Sequence, residues 1–260
     1  MSAMQECKSL EKCLSEGQVV DRNWLKAKGF SRPRVDYYVR SGALQTVARG
    51  LYRKPGPLLK WEHIVYSLQE MGYKVHVGGR SALELQGMAH YLPLQGVKTL
   101  ALYGVHRLPA WLDRINLPFK FEHHHLTLFK SMPESAITTR PFGHWDWLIC
   151  YATPELALLE MLAELKTKVD FDTVDKFFES ASFLRPELVR ELLLACTNVK
   201  AKRLFLWFSD RYDHPWKKVL DITGVHLGSG KRMIIKGGAL DKRFQITVPK
   251  DFVNGSEHFF

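Results

Sequence analysis

The chain has 260 residues, 46% of them hydrophobic, and carries a net charge of +10 with a pI of about 9.4. That apolar content supports a sizeable core and excludes a disordered tail, and the length allows one large domain or two ordinary ones. The charge favours polyanionic partners and is uneven: residues 1–60 hold 12 Lys/Arg against 5 Asp/Glu, a net of +7, and the other 200 residues hold a net of +3.

The opening Met1-Ser-Ala-Met-Gln-Glu lacks the basic and apolar regions of a signal peptide. The most apolar run, Leu148 to Leu165, is broken by Pro154, Glu155, Glu160 and Glu164. It is too charged for a bilayer span, which needs about 20 apolar residues. A soluble cytoplasmic protein with no membrane partner is the expectation. Cys7, Cys13, Cys150 and Cys196 form no CxxC pair and no zinc spacing, so reduced thiols are expected.

In chain order, Cys7–Leu14 suits a first helix, ended by Gly17. Asp21 caps a second helix over Arg22–Lys28 that stops at Gly29. Ser31 caps a third, with Pro33 in its first turn, where a missing N–H costs little. Val35, Tyr38 and Val39 share one face at spacings of three and four and should pack on the first two helices. Arg32, Arg34, Asp36, Tyr37 and Arg40 are then left outward. Leu44–Val47 and Leu51–Arg53 read as short strands joined at Arg49-Gly50, and Pro55-Gly-Pro57 as a linker.

Beyond the linker, Trp61–Met71 reads as a helix with Ile64, Val65 and Leu68 on one side. Tyr73–Val77 reads as a strand, and Gly78-Gly79 turns the chain into a helix at Arg80–Gln86. Thr99–Tyr103 is another strand, Pro109–Ile115 a short helix, and Phe119–Phe129 alternates like a strand. Thr153 caps a helix with Pro154 at its first position, running to about Lys166. Further helices fit Asp172–Ala181, Pro186–Thr197 and Ala201–Tyr212. Lys231–Ile235 and Arg243–Val248 look like a β-hairpin pair. Strands and helices mix without regular βαβ alternation, which predicts α+β architecture.

Helix-turn-helix followed by a β-wing is a DNA-reading device. A recognition helix places its N-terminal side chains on base edges in the major groove. Arginine there reaches guanine in a bidentate way, at about 1–3 kcal/mol of discrimination per good pair. The expected DNA contacts are Ser31, Arg32, Arg34, Tyr37 and Arg40 on the third helix. Arg49, at the wing tip, is expected on phosphate or in the minor groove.

The stretch Ser31-Arg-Pro-Arg-Val-Asp-Tyr-Tyr-Val-Arg-Ser-Gly-Ala-Leu-Gln-Thr-Val-Ala-Arg-Gly-Leu-Tyr52 resembles the N-terminal winged helix of AbiEi-type antitoxins. That signature is a helix ending in Gly, then Leu, then Arg-Gly-Leu-Tyr. The resemblance continues in Gly79-Arg-Ser-Ala-Leu-Glu-Leu-Gln-Gly-Met-Ala-His-Tyr-Leu-Pro93 and in Leu102-Tyr-Gly-Val-His-Arg-Leu-Pro-Ala-Trp-Leu112. It extends through Leu227-Gly-Ser-Gly-Lys-Arg232 and Lys236-Gly-Gly-Ala-Leu-Asp-Lys-Arg-Phe-Gln-Ile-Thr-Val-Pro249, so it covers nearly the whole chain. It implies a winged helix at about residues 1–56 and a larger mixed antitoxin domain over 57–260. It also implies autorepression through double-stranded promoter DNA carrying inverted repeats. The implied functional partner is a nucleotidyltransferase toxin, countered without need of a stable complex. Pairing on the repeats would come from a dimer or from two monomers cooperating on DNA; the absence of a coiled-coil segment favours the latter.

Other signals point elsewhere. His123-His-His125 invites a metal, but strand alternation leaves only two imidazoles on one side. Gly228-Ser-Gly-Lys231 misses the phosphate-loop pattern, with Val225 at the first Gly position and Arg232 at the hydroxyl position. Gly78-Gly79 reads as a tight turn rather than an anion cradle. Glu160 and Glu164, four apart, read as a helix's wet edge. A second basic set runs from Lys200, Lys202, Arg203 and Arg211 through Lys217, Lys218, Lys231, Arg232, Lys236, Lys242 and Arg243. It binds a polyanion if it converges and is a solvated face if it scatters. No cofactor, metal or catalytic residue is expected. The competing readings are a DNA-targeted nuclease or nucleotide-processing enzyme, for which Asp221 before Lys231 and Lys236 is the hint, and a plain protein-interaction module.

Overall fold

The computed structural model of the chain describes residues 9–88, 98–125, 127–142 and 146–254. Its architecture is α+β, as expected. The N-terminal elements are α1 (Leu10–Cys13), β1 (Val19–Asp21), α2 (Arg22–Ala27), α3 (Arg32–Arg40), β2 (Gln45–Ala48) and β3 (Leu51–Arg53). Residues 7 and 8 of the expected first helix lie outside the described residues. The strands form an antiparallel sheet in the order β1-β3-β2, with a bulge in β2 between Thr46 and Ala48. β1 is not predicted by the sequence pattern.

Strand alternation divides this sheet between two cores. Val20 and Tyr52 face a small core with Leu10, Leu14, Trp24, Leu25, Phe30, Val35 and Leu44. Val19 and Leu51 face the other way, into the main core beside Ile64 and Leu68 of α4 (Trp61–Glu70). Val19 N–H donates to Ser67 Oγ at 2.9 Å, and Gly17 N–H to the Lys54 carbonyl at 3.2 Å. The segment around Pro55-Gly-Pro57 is thus held against the start of β1.

The main sheet joins β4 (Val75–Val77), β5 (Thr99–Gly104), β6 (Lys120–His125), β7 (Ile137–Phe142) and β8 (Trp147–Ala152). Its order is β6-β5-β4-β8-β7, with parallel pairs β5–β6 and β4–β8 and the rest antiparallel. The β7–β8 hairpin was not expected. β8 sits inside the sheet, and its apolar run merges in the sequence with the helix that follows. Pro141 is tolerated because β7 is an edge strand. The expected helix at Pro109–Ile115 is a single tight turn, Leu112–Arg114.

Between β4 and β5 lies α5 (Gly79–Leu83), which continues as a wide turn, Glu84–Met88. The C-terminal half adds α6 (Pro154–Glu164), α7 (Lys168–Ser180), α8 (Pro186–Ala195), α9 (Val199–Ser209) and α10 (Pro215–Val219). Then come β9 (Ala239–Asp241), β10 (Ile246–Val248) and α11 (Lys250–Asn254). α6 is the centre of the core. Leu156, Ala157, Leu158, Leu159 and Leu162 are buried on it, and so are Glu155 and Glu160. A helix buried this far round has little wet edge, which corrects the reading of Glu160. Glu164, in the last turn, is 43% exposed as expected.

The terminal hairpin is also shifted. Lys231–Ile235 forms no strand; β10 pairs with β9 instead. Arg232 alone of this segment bridges to β10, its N–H donating to the Gln245 carbonyl at 2.8 Å and its carbonyl accepting the Thr247 N–H at 3.0 Å, and Thr247 Oγ1 accepts the Ile234 N–H at 2.8 Å and the Ile235 N–H at 3.2 Å. Cys150 and Cys196 are free, whereas Cys13 is disulfide-bonded, which corrects the expectation of reduced thiols at that position.

Candidate nucleic-acid interface

Two local signals set the angle between α2 and α3. Asp21 Oδ1 accepts the Trp24 N–H at 2.8 Å and starts α2. Gly29, at φ 87°, ends it. Its N–H reaches the Lys26 carbonyl at 3.0 Å and the Phe30 N–H reaches the Leu25 carbonyl at 2.9 Å. This paired closure needs a left-handed residue, and glycine adopts that conformation without strain. α3 starts three residues after Gly29, at Arg32.

α3 buries Val35 fully and Tyr38 and Val39 in part, as their spacing predicts. Ser31 occupies the N-cap position and is exposed, but its hydroxyl makes no capping bond. Arg32 and Arg40 are exposed, and Tyr37 is 63% exposed. Arg40 Nε donates to the Asp36 carbonyl at 3.3 Å. Arg49 is exposed in the turn between β2 and β3. Among the described residues, Arg32, Arg40 and Arg49 have no carboxylate within ion-pair distance. Asp36 is the acidic residue on the same exposed face.

Arg34 departs from expectation. It is half-buried, its guanidinium lies 4.9 Å from the Phe30 ring centre, and its Nε donates to Tyr38 Oη at 3.3 Å. Stacking on an aromatic face holds an arginine in one orientation. Sequence spacing could not show this, because Phe30 lies outside the helix. The sequence reading also passed over Gln45 and Thr46, both exposed on β2. Gln45 is held by Arg53 Nε at 2.9 Å.

The second basic set does not form one free surface. Lys202 and Arg203 are buried. Arg203 donates to the carbonyls of Leu227, Gly228, Gly230 and Gln245, and so pins the glycine-rich segment. Burial pushes the Arg203 guanidinium below its ordinary value, with Arg232 adding to the shift. Lys200 binds the carbonyls of Ala163 and Leu165. Arg211 pairs with Asp175, Lys218 with Asp213, and both Lys217 and Arg243 with Asp210. Lys231, Arg232, Lys236 and Lys242 remain exposed. Asp221, the acid invoked for a nuclease, accepts from Arg190 at 3.1 Å and from the Thr223 N–H at 2.8 Å.

The other candidate motifs take structural places. His124 stacks on Tyr103 at 4.7 Å, and Tyr103 on His76 at 6.1 Å, so three adjacent strands carry a ladder of rings on one sheet face. Burial, with Glu160 next, pushes the Tyr103 hydroxyl above its ordinary value. Among the described residues no group of three His, Cys, Asp or Glu side chains could hold a metal ion. No helix there is long and apolar enough to cross a membrane.

A family model described as the AbiEi antitoxin N-terminal domain of a transcriptional regulator matches residues 4–94. A second, described as "Transcriptional regulator, AbiEi antitoxin, Type IV TA system", matches residues 97–249. The crystal structure of the RV2827C protein from Mycobacterium tuberculosis has a similar fold, with a TM-score of 0.52 and 15% identity. The alignment covers 88% of this chain and 85% of that one. No curated protein matches the sequence. The two family models together span nearly the whole chain, which therefore belongs to the AbiEi antitoxin family of transcriptional regulators in type IV toxin–antitoxin systems.

Proposed function

We propose that residues 1–56 form a winged helix-turn-helix that binds inverted repeats in the promoter of the chain's own operon. Residues 57–260 then counter a nucleotidyltransferase toxin encoded beside it, without a stable complex. On this reading the protein works in the cytoplasm and catalyses nothing itself. One observation carries it: α3 offers Arg32, Tyr37 and Arg40 to solvent, the β2–β3 turn offers Arg49, and those arginines have no carboxylate partner among the described residues.

In this arrangement Ser31, Arg32 and Arg34 sit at the end of α3 that enters the major groove. Arg34, held by Phe30 and Tyr38, is ordered before it meets a base, so less rotamer freedom is lost on binding. Tyr37 and Arg40 lie further along the helix, and Arg49 meets phosphate or the minor groove. Two copies pair on the repeat, with recognition helices about 34–36 Å apart.

The test is a binding titration of the full chain against DNA upstream of its gene, at two salt concentrations, with scrambled duplex as competitor. Tight binding that survives the competitor is the expected result. Equal binding to both duplexes, weakened equally by salt, would reduce the surface to a nonspecific basic patch.

A further inference from the structure

A cavity of about 530 Å³ lies between β6 and the segment that joins β5 to it. β5 and β6 are parallel, so this segment returns along the sheet from the end of one strand to the start of the other. Phe119, Phe121 and His123 line the cavity from alternate positions along the chain, as side chains on one face of a strand do. Phe119 is buried and meets Phe121 edge-to-face at 5.4 Å. Arg107, Asn116 and Lys120 line it too, and all three are exposed.

Two features separate this cavity from an ordinary surface hollow. First, Arg107 and Lys120 have no ion-pair partner among the described residues. Most arginines and lysines of the second basic set are instead held by carboxylates or carbonyls. Second, the wall behind those cations is apolar: Leu108, Leu112, Leu117, Phe119 and Phe121 line the cavity with them.

We infer that this cavity binds a free nucleoside phosphate. Its volume lies within the range of about 300–1,000 Å³ typical of small-molecule sites. The two cations suit phosphate oxygens through charge-assisted hydrogen bonds. The apolar walls suit the face of a base, and Asn116 suits polar base edges and ribose hydroxyls. Asp113 also lines the cavity and serves as an acceptor for ribose hydroxyls. A bare inorganic anion leaves the walls unfilled, and a fatty anion leaves Asn116 and Asp113 unused. The inference is independent of promoter binding, which rests on the N-terminal unit.

The experiment is calorimetric titration of the full chain with AMP, GMP, CMP and UMP and their triphosphates. Inorganic phosphate and the unphosphorylated nucleosides serve as controls. At least one nucleotide is expected to saturate a single site, with both controls weaker. Arg107→Ala and Lys120→Ala each weaken that binding about tenfold, the loss of one hydrogen bond to a charged group. Both side chains are exposed, so the melting temperatures of the variants stay at the wild-type value. Absence of saturable binding up to about 1 mM of every nucleotide would overturn the inference. Undiminished binding by the double variant would overturn it equally.

Discussion

Glu160 Oε1 lies 2.6 Å from His76 Nε2, while its Oε2 accepts the Gly79 N–H at 2.7 Å. A carboxylate from the central helix therefore joins the end of β4 to the start of α5. The chain fills that helix N-terminus with its own acid, where the helix dipole favours negative charge. Removing this acceptor leaves the buried His76 ring and the Gly79 N–H without a partner, at a cost of about 1–3 kcal/mol each. Glu160→Ala is expected to lose that much in urea unfolding, and Glu160→Gln less. A loss below about 1 kcal/mol for the alanine variant, the scale of a surface pair, would contradict the role.

Gly78 is the second element of this junction. A Cβ there would stand 2.4 Å from Glu160 Oε2 and 2.4 Å from Tyr103 Cδ2. Neither neighbour has room to move, since Glu160 and Tyr103 are both buried. Gly78→Ala is expected to destabilise by about 1–3 kcal/mol, the usual cost of overpacking. Thermal unfolding checks this; a wild-type melting temperature would show that the junction is looser than described.

Glu155 supplies a pH dependence. Burial pushes its carboxyl up, but hydrogen bonds from the Arg185 side chain and backbone N–H outweigh this and hold it below its ordinary value of 4.5. A depressed carboxyl stabilises the fold at pH values above its unfolded pKa, and that stability is lost as pH falls through the folded one. The pair should thus contribute fully at neutral pH and fade below about pH 4.5. Arg185→Ala is expected to destabilise at pH 7 by about 1–2 kcal/mol, discounted because Arg185 is half exposed. It should also shift acid unfolding to higher pH. An unchanged acid midpoint would contradict the assignment.

The arginines of the N-terminal unit should separate by role. Arg32→Ala and Arg40→Ala are expected to weaken promoter binding without changing the melting temperature, since both side chains are exposed. Arg34→Ala should weaken binding and also lower stability by about 0.5–1 kcal/mol through loss of the Phe30 stack. Arg49→Ala should reduce the salt slope of binding by about one if it meets one phosphate. Equal effects of all four substitutions at every salt concentration would argue against distinct base and phosphate roles.

Local signals in the sequence were read correctly where one element decides its own fate. The Asp21 cap, the Gly29 stop, the apolar spacing of Val35, Tyr38 and Val39, and Pro154 at the start of α6 all stand in the structure, whereas the Thr153 hydroxyl at the N-cap of α6 makes no capping bond. Features that depend on distant partners were not legible. Glu160 meets His76 across 84 residues, so its spacing from Glu164 said nothing about its burial. The β7–β8 hairpin was hidden because an inner strand and the helix after it make one apolar run. Arg34 looked like any outward arginine until Phe30 was placed beside it. The second basic set could converge or scatter by its sequence, and in the structure Lys200, Arg203, Arg211, Lys217 and Arg243 instead tie segments of the C-terminal half together.

Hydroxyl-radical footprinting of the full chain on the DNA upstream of its gene tests the proposed reading of promoter DNA by α3 and the β2–β3 turn. Two protected patches are expected about 10–10.5 base pairs apart, or a multiple of that, centred on an inverted repeat and lost in an Arg32→Ala, Arg40→Ala double variant. No protection beyond that on scrambled DNA, or a footprint unchanged in the double variant, would contradict it.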